Sequence, residues 1–149
     1  MGSGTTFTKY CNNSSYGYNG FVDNLTVLQA SDDAATANLG LGWRIPTKED
    51  WQELVQYTTN TYTTQAGVCG WLFTANNGKS IFLPAAGYHE ESNLYGSGGR
   101  GYYWSSSLDI NSSSYAWSFG FNHLLDYDLY YKYRKLGFSV RPVRSSEQK

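Results

Sequence analysis

The clearest run of hydrophobic and polar positions begins at Thr47. Trp51, Leu54 and Val55 recur at i, i+3 and i+4, so they share one face of a helix. Thr47 can cap the start, and Asp50 three residues later completes a capping box. The pattern predicts a helix from Lys48 to about Tyr57. A shorter helix is expected after Ser31-Asp32-Asp33, where Ser31 can cap and the two acids suit the positive end of the helix dipole. Ala34, Ala35 and Ala37 continue it, and Gly40 can end it.

After Gly70 the period changes. Trp71 to Ala75 and Lys79 to Leu83 flank Asn76-Asn77-Gly78, a sequence that tolerates the positive backbone angles of a tight hairpin turn. Tyr102 to Ser106 reads as a short strand. From Tyr115 to Phe121 the chain alternates, with Tyr115, Trp117, Phe119 and Phe121 on one face and Ala116, Ser118 and Gly120 on the other. Phe138, Val140 and Arg141 belong to a last strand ending near Pro142. The first 30 residues read as strands and turns. Helices early and antiparallel strands late predict an α+β class. Trp51, Leu54, Trp104, Phe119, Phe121 and Val140 are the expected core.

Composition narrows the function. The 149 residues suit one domain over 1–149. A net charge of -1 provides no basic face for nucleic acid. No apolar run reaches the roughly 18 residues of a membrane helix, so no membrane insertion is expected, and no signal peptide is visible. Met1-Gly2-Ser3-Gly4 reads as a remnant of expression. Cys11 and Cys69 fit either one bridge in an oxidising compartment or two free thiols. Together with two histidines far apart in sequence, they supply too few ligands for a metal site. No cofactor is expected.

Candidate chemistry is thin. Gly96-Ser97-Gly98-Gly99-Arg100-Gly101 matches G-x-G-x-x-G, but a strand pattern follows where a dinucleotide site needs a helix, so it reads as a surface loop. Ser105 with His89 or His123 lacks a G-x-S-x-G elbow. Glu90 and Glu91 are neighbours on an extended chain and point apart. Asp126 and Asp128 can share one side of a strand, which makes a weak calcium site at best. The chain reads as a non-enzyme.

The informative segment is 109–133. It concentrates tyrosine with Ser, Asn and Asp and lacks Glu, Gln and Met. Rigid aromatics beside short polar groups are what a general contact surface needs. The candidate ligand-binding residues are Asp109, Asn111, Ser113, Ser114, Tyr115, Ser118, Asn122, His123, Asp126, Tyr127, Asp128, Tyr130, Tyr131 and Tyr133.

Three stretches carry a family resemblance: Gly42-Trp43-Arg44-Ile45-Pro46-Thr47 with Trp51, Tyr103-Trp104-Ser105-Ser106-Ser107, and Gly137-Phe138-Ser139-Val140-Arg141-Pro142-Val143. With Ser80 to Gly87, the chain resembles the Fibrobacter succinogenes major paralogous domain, a C-type-lectin-like module of gut bacteria. The resemblance covers most of residues 32–144. It implies a C-type lectin fold, with two helices, antiparallel sheets, long loops and adjacent termini, in which the early strands pair with the Phe138–Val143 strand.

The chain also resembles the variable proteins of diversity-generating retroelements. That implies a framework of Trp104, Ala116, Phe119, Phe121, Arg134, Gly137 and Val140, with displayed positions between Asp109 and Tyr133. The implied partner is a protein or glycan receptor on another cell or host surface. The implied location is extracellular, cell-surface or on a virion tail. Two alternatives stay open: a non-diversified structural module of a surface lipoprotein, and a relative of formylglycine-generating enzymes. The second would imply catalytic cysteines in the C-terminal part, and this chain has no cysteine after Cys69. The calcium motifs of sugar-binding C-type lectins are also absent, so calcium-dependent sugar binding is not implied.

Overall fold

The computed structural model describes residues 6–124 and 126–144. Met1 to Gly4, read above as an expression remnant, lie outside them. Helix α1 spans Ala34–Leu39 and helix α2 spans Lys48–Tyr57. The strands are β1 (Trp43–Arg44), β2 (Thr58–Gln65), β3 (Val68–Ala75), β4 (Ser80–Pro84), β5 (Tyr88–Glu90) and β6 (Asn93–Tyr95). They are followed by β7 (Arg100–Leu108), β8 (Tyr115–Asn122), β9 (Tyr127–Tyr133) and β10 (Val143–Arg144). All named strand pairs are antiparallel: β1 with β10, β2-β3-β4, β5 with β6, and β7-β8-β9. Two helices with antiparallel sheets make the α+β class.

Helix α2 forms where its capping box places it. Thr47 accepts from the Asp50 N–H at 3.2 Å, and the Asp50 carboxylate accepts from the Thr47 N–H at 2.6 Å. Helix α1 begins later than its sequence suggests. Asp33, not Ser31, is the cap: it is buried and accepts from the N–H groups of Ala35, Thr36 and Ile45. A buried carboxylate with three backbone donors satisfies two elements at once, which an exposed Ser31 cannot do.

The main core lies between α2, the β2-β3-β4 sheet and one face of β7-β8-β9. It holds Trp51, Trp71, Phe73, Leu83, Ala85, Tyr103, Phe119 and Phe121, with Leu54 packed against it. A smaller cluster of Tyr10, Leu108 and Ala116 is flanked by Leu25, Leu28 and Trp104. Two expectations need correction here. Val140 is 39% exposed and outside the core, because only residues 143–144 of the last segment pair in a strand. The strand that meets β10 is β1, not the first 30 residues. Among the described residues of that segment there are only isolated bridges, Phe7 to Gly17 and Val27 to Ser107. The two cysteines are free thiols.

Gly101, expected in a loop, lies inside β7 and is buried. A Cβ there would come within 2.3 Å of the Phe121 ring, so only glycine fits. The turn before it, at Gly96–Gly99, leads into this strand and not into a helix.

Candidate functional site

Strand alternation distributes the fourteen candidate residues over both faces and both ends of β7-β8-β9. On β9 the odd positions face inward along with Phe119 and Phe121. Tyr127 pairs with Phe121 in register and packs edge-on against Trp71 at 5.1 Å and Phe73 at 6.1 Å. Its hydroxyl accepts from Asn60 at 3.0 Å. Tyr127 is therefore part of the core and not a display position.

Further along, α2 no longer covers the odd positions. Tyr131 packs at a tilt on Trp117 at 3.9 Å and remains 48% exposed, and Tyr133 lies on Tyr115 at 4.4 Å and remains 49% exposed. A hydrogen bond between Tyr115 and Tyr133 raises the Tyr115 pKa, aided by nearby Tyr16.

Two serines must also be withdrawn from the contact surface. Ser118 has no exposure and donates to the Tyr130 carbonyl at 3.2 Å. Ser113 is buried, donates to Asn12 at 2.5 Å and accepts from the Asn12 N–H at 2.8 Å. Both hydroxyls are used up by the fold.

Asp109, Asn111 and Ser114 lie in the β7–β8 connection, where Asp109 and Ser112 side chains accept from the N–H groups of Asn111 and Ser114. Asn122 and His123 sit at the β8–β9 turn, where Asn122 accepts from the Leu124 N–H. Asp126 and Asp128 are exposed. Among the described residues no group of three or more His, Cys, Asp and Glu is placed to hold a metal ion.

The outer face of the sheet carries a second aromatic group that the sequence reading did not single out. Tyr102 and Phe138 stack at 5.0 Å, Trp104 stacks on Phe138 at 4.4 Å, and Tyr88 meets Tyr102 edge-on at 5.3 Å. Tyr95 extends the ladder by stacking on Tyr88 at 5.5 Å. The ladder forms because β5 and β6 are drawn onto this face. Gly87 bridges to Gly101, and His89 exchanges backbone hydrogen bonds with Gly137, both at 2.8 Å. Gly120 makes the close approach possible: a Cβ there would lie 2.8 Å from the Tyr102 ring and 3.1 Å from the Tyr130 ring. A glycine and two small neighbours, Ala116 and Ser118, on one face of a strand are the signal that large rings cross over it.

Together these elements frame an open cleft of about 450 Å³, walled by Tyr88, Tyr102 and Phe138 and edged by Glu90, Arg100 and Lys132. Tyr115, Tyr131 and Tyr133 also border it, so part of the candidate segment does reach the cleft. The Lys132 ammonium lies 5.5 Å from the Tyr102 ring centre and 5.4 Å from that of Tyr130. Burial raises the Tyr130 pKa, and the charges of Asp126 and Asp128 push it the same way.

A family model described as "Domain of unknown function (DUF8237)" matches residues 70–143. That span takes in every residue bordering the cleft. Neither a curated protein nor a solved structure matches the chain.

Proposed function

We propose that this chain is a non-catalytic, C-type-lectin-like binding module whose contact surface is the aromatic cleft and the β9 tyrosines beside it. The observation that carries the reading is the position of the rings. Tyr88, Tyr95, Tyr102 and Phe138 gather on the sheet face away from α2, and Tyr131 and Tyr133, half exposed on the other face of the edge strand β9, border the same cleft. A concave aromatic surface with a few polar groups at its edge is the usual form of a small-ligand or receptor site. Large aromatics also supply most binding hot spots.

The fold assignment draws support from the β1–β10 pair, which joins Trp43 to Arg144 and Arg44 to Val143. Two of the stretches that carry the family resemblance thereby become neighbours. The variable-protein reading then applies to solvent-facing positions such as Asn111, His123, Asp126, Tyr131 and Tyr133. Tyr127, Ser113 and Ser118 belong with the framework. The partner is a receptor, protein or glycan, presented on another cell or host surface, and the module acts outside the cell or on a virion tail.

The test is a binding screen of the purified chain against immobilised surface glycans and receptor ectodomains, repeated with Tyr131→Ser/Tyr133→Ser. The double variant should lose at least about tenfold in affinity, in keeping with aromatic hot spots. Its melting transition should remain cooperative. A double variant that binds as well as the parent would place the contact surface elsewhere.

A further inference from the structure

The cleft holds two cations that no acidic side chain among the described residues neutralises. Arg100 makes no ion pair there, and its stem lies over Gly96. Among the described residues Lys132 makes none either, and its ammonium lies over the faces of Tyr102 and Tyr130. Glu90, the one carboxylate at the edge, is already paired with Lys135 at 3.3 Å. Of the residues bordering the cleft, Arg100 and Lys132 therefore stand against one carboxylate that is already paired. A concave wall concentrates such a potential on whatever enters.

Resting on the binding-module reading, we propose that the cleft takes an acidic saccharide, a pyranose ring bearing a carboxylate. The ring walls explain the sugar. A pyranose has a face of C–H bonds, which packs against the apolar aromatic surface that Tyr88, Tyr102 and Phe138 present to the cleft. Its hydroxyl edge then meets polar groups at the border of the cleft, where Tyr88 and Glu90 lie. The free cations explain the acid. A guanidinium can receive a carboxylate through two parallel hydrogen bonds, and the three N–H donors of Lys132 keep the ammonium useful while its charge rests on the tyrosine rings. The volume, about 450 Å³, suits a short saccharide. Two free cations fall well short of the row of phosphate contacts that nucleic acid demands.

The experiment is an NMR titration of the whole chain with methyl β-glucuronide, with methyl β-glucoside as the neutral control and an acidic tyrosine-containing peptide as the competitor class. The glucuronide should shift the aromatic resonances of Tyr88, Tyr102 and Phe138 and bind at least about tenfold more tightly than the glucoside, a gap of one charge-assisted contact. Arg100→Gln/Lys132→Gln should bring its affinity down to that of the glucoside. Thermal melts should show the double variant folded, since neither side chain is part of the core.

Equal affinity for the two sugars, or tighter binding of the peptide, would overturn the proposal. So would a glucuronide response untouched by Arg100→Gln/Lys132→Gln. If no sugar shifts the cleft while Tyr131→Ser/Tyr133→Ser still abolishes receptor binding, the saccharide fails and the binding module stands.

Discussion

Tyr127, Tyr131 and Tyr133 lie on one strand and one face, yet they do different work. Tyr127 sits where α2 and β3 close over the sheet, so its ring touches Trp71, Phe73 and Phe119 and its hydroxyl is taken by Asn60. Tyr131 and Tyr133 sit beyond that cover. Truncating Tyr127 to Ala should cost about 2–5 kcal/mol, the range for large core side chains. Tyr127→Phe should cost only about 1 kcal/mol, through the lost partner of Asn60. Tyr131→Ala should stay under about 1 kcal/mol, as for most surface changes. Thermal or urea melts of the three variants check the ranking, and a Tyr127→Ala domain as stable as its parent would return this residue to the surface. Nothing in the residue type separates the three tyrosines; the difference comes from what lies above each one.

The element whose sequence signals agree most closely with its structure is α2, because cap, dipole and apolar stripe all act within ten residues. Its first turn also holds a pH-sensitive contact. Burial works against ionisation of Asp50, but the Arg44 guanidinium, at hydrogen-bond distance, and the Thr47 N–H outweigh it and hold the carboxyl below its ordinary range. The group therefore adds stability that is complete above the unfolded value near about 4 and is lost as the pH falls through the lower folded value. Asp32 is lowered too, by Lys9 and Tyr10, and contributes in the same direction. Melts from about pH 6 down to about pH 2.5 should show the parent losing stability below about pH 4, and Asp50→Asn should show a shallower loss over the same window. A variant with the parent's slope would remove Asp50 from the account.

Strand β2 has no signature in the sequence. Thr58 to Gln65 is all polar apart from Tyr62, so it carries no alternation of apolar and polar residues to read. Its pairing with β3, from Thr58 with Ala75 to Gln65 with Val68, is dictated by the partner strand and by the turn at Ala66 and Gly67.

On the scale of the molecule, Arg134 fastens the first segment to the sheet. Its guanidinium donates to the carbonyls of Tyr10 at 3.1 Å and Ser113 at 2.8 Å and lies over the Phe7 and Tyr10 rings. Burial lowers its pKa, the sign of a cation held among carbonyls and rings in place of water. Lysine keeps the charge but cannot reproduce a planar fork with two carbonyl partners. Arg134→Lys should therefore cost about 2–4 kcal/mol, the range for hydrogen bonds to charged groups left unmade. It should also speed amide exchange around Tyr10 and Asp23, whose carboxylate caps the Tyr10 and Cys11 N–H groups. Unchanged exchange there would show that the segment is held by Asn12 and Ser113 instead.

Local order was legible in the chain itself. The helix at Lys48–Tyr57, the hairpin around Asn76-Asn77-Gly78 and the alternation of β8 rest on contacts between residues a few positions apart, and those interactions exist wherever the chain folds. The α+β class followed from their order. What the sequence could not decide was which surface remains open. Exposure is a property of a neighbour that arrives from far along the chain: α2 over Tyr127, Asn12 over Ser113, the 87–89 and 137–139 segments beside Tyr102. The segment 109–133 was therefore rich in the right residue types, yet only part of it reaches the cleft. The rest of that cleft comes from Tyr88, Glu90, Arg100, Tyr102 and Phe138, which become neighbours only once the sheets have formed.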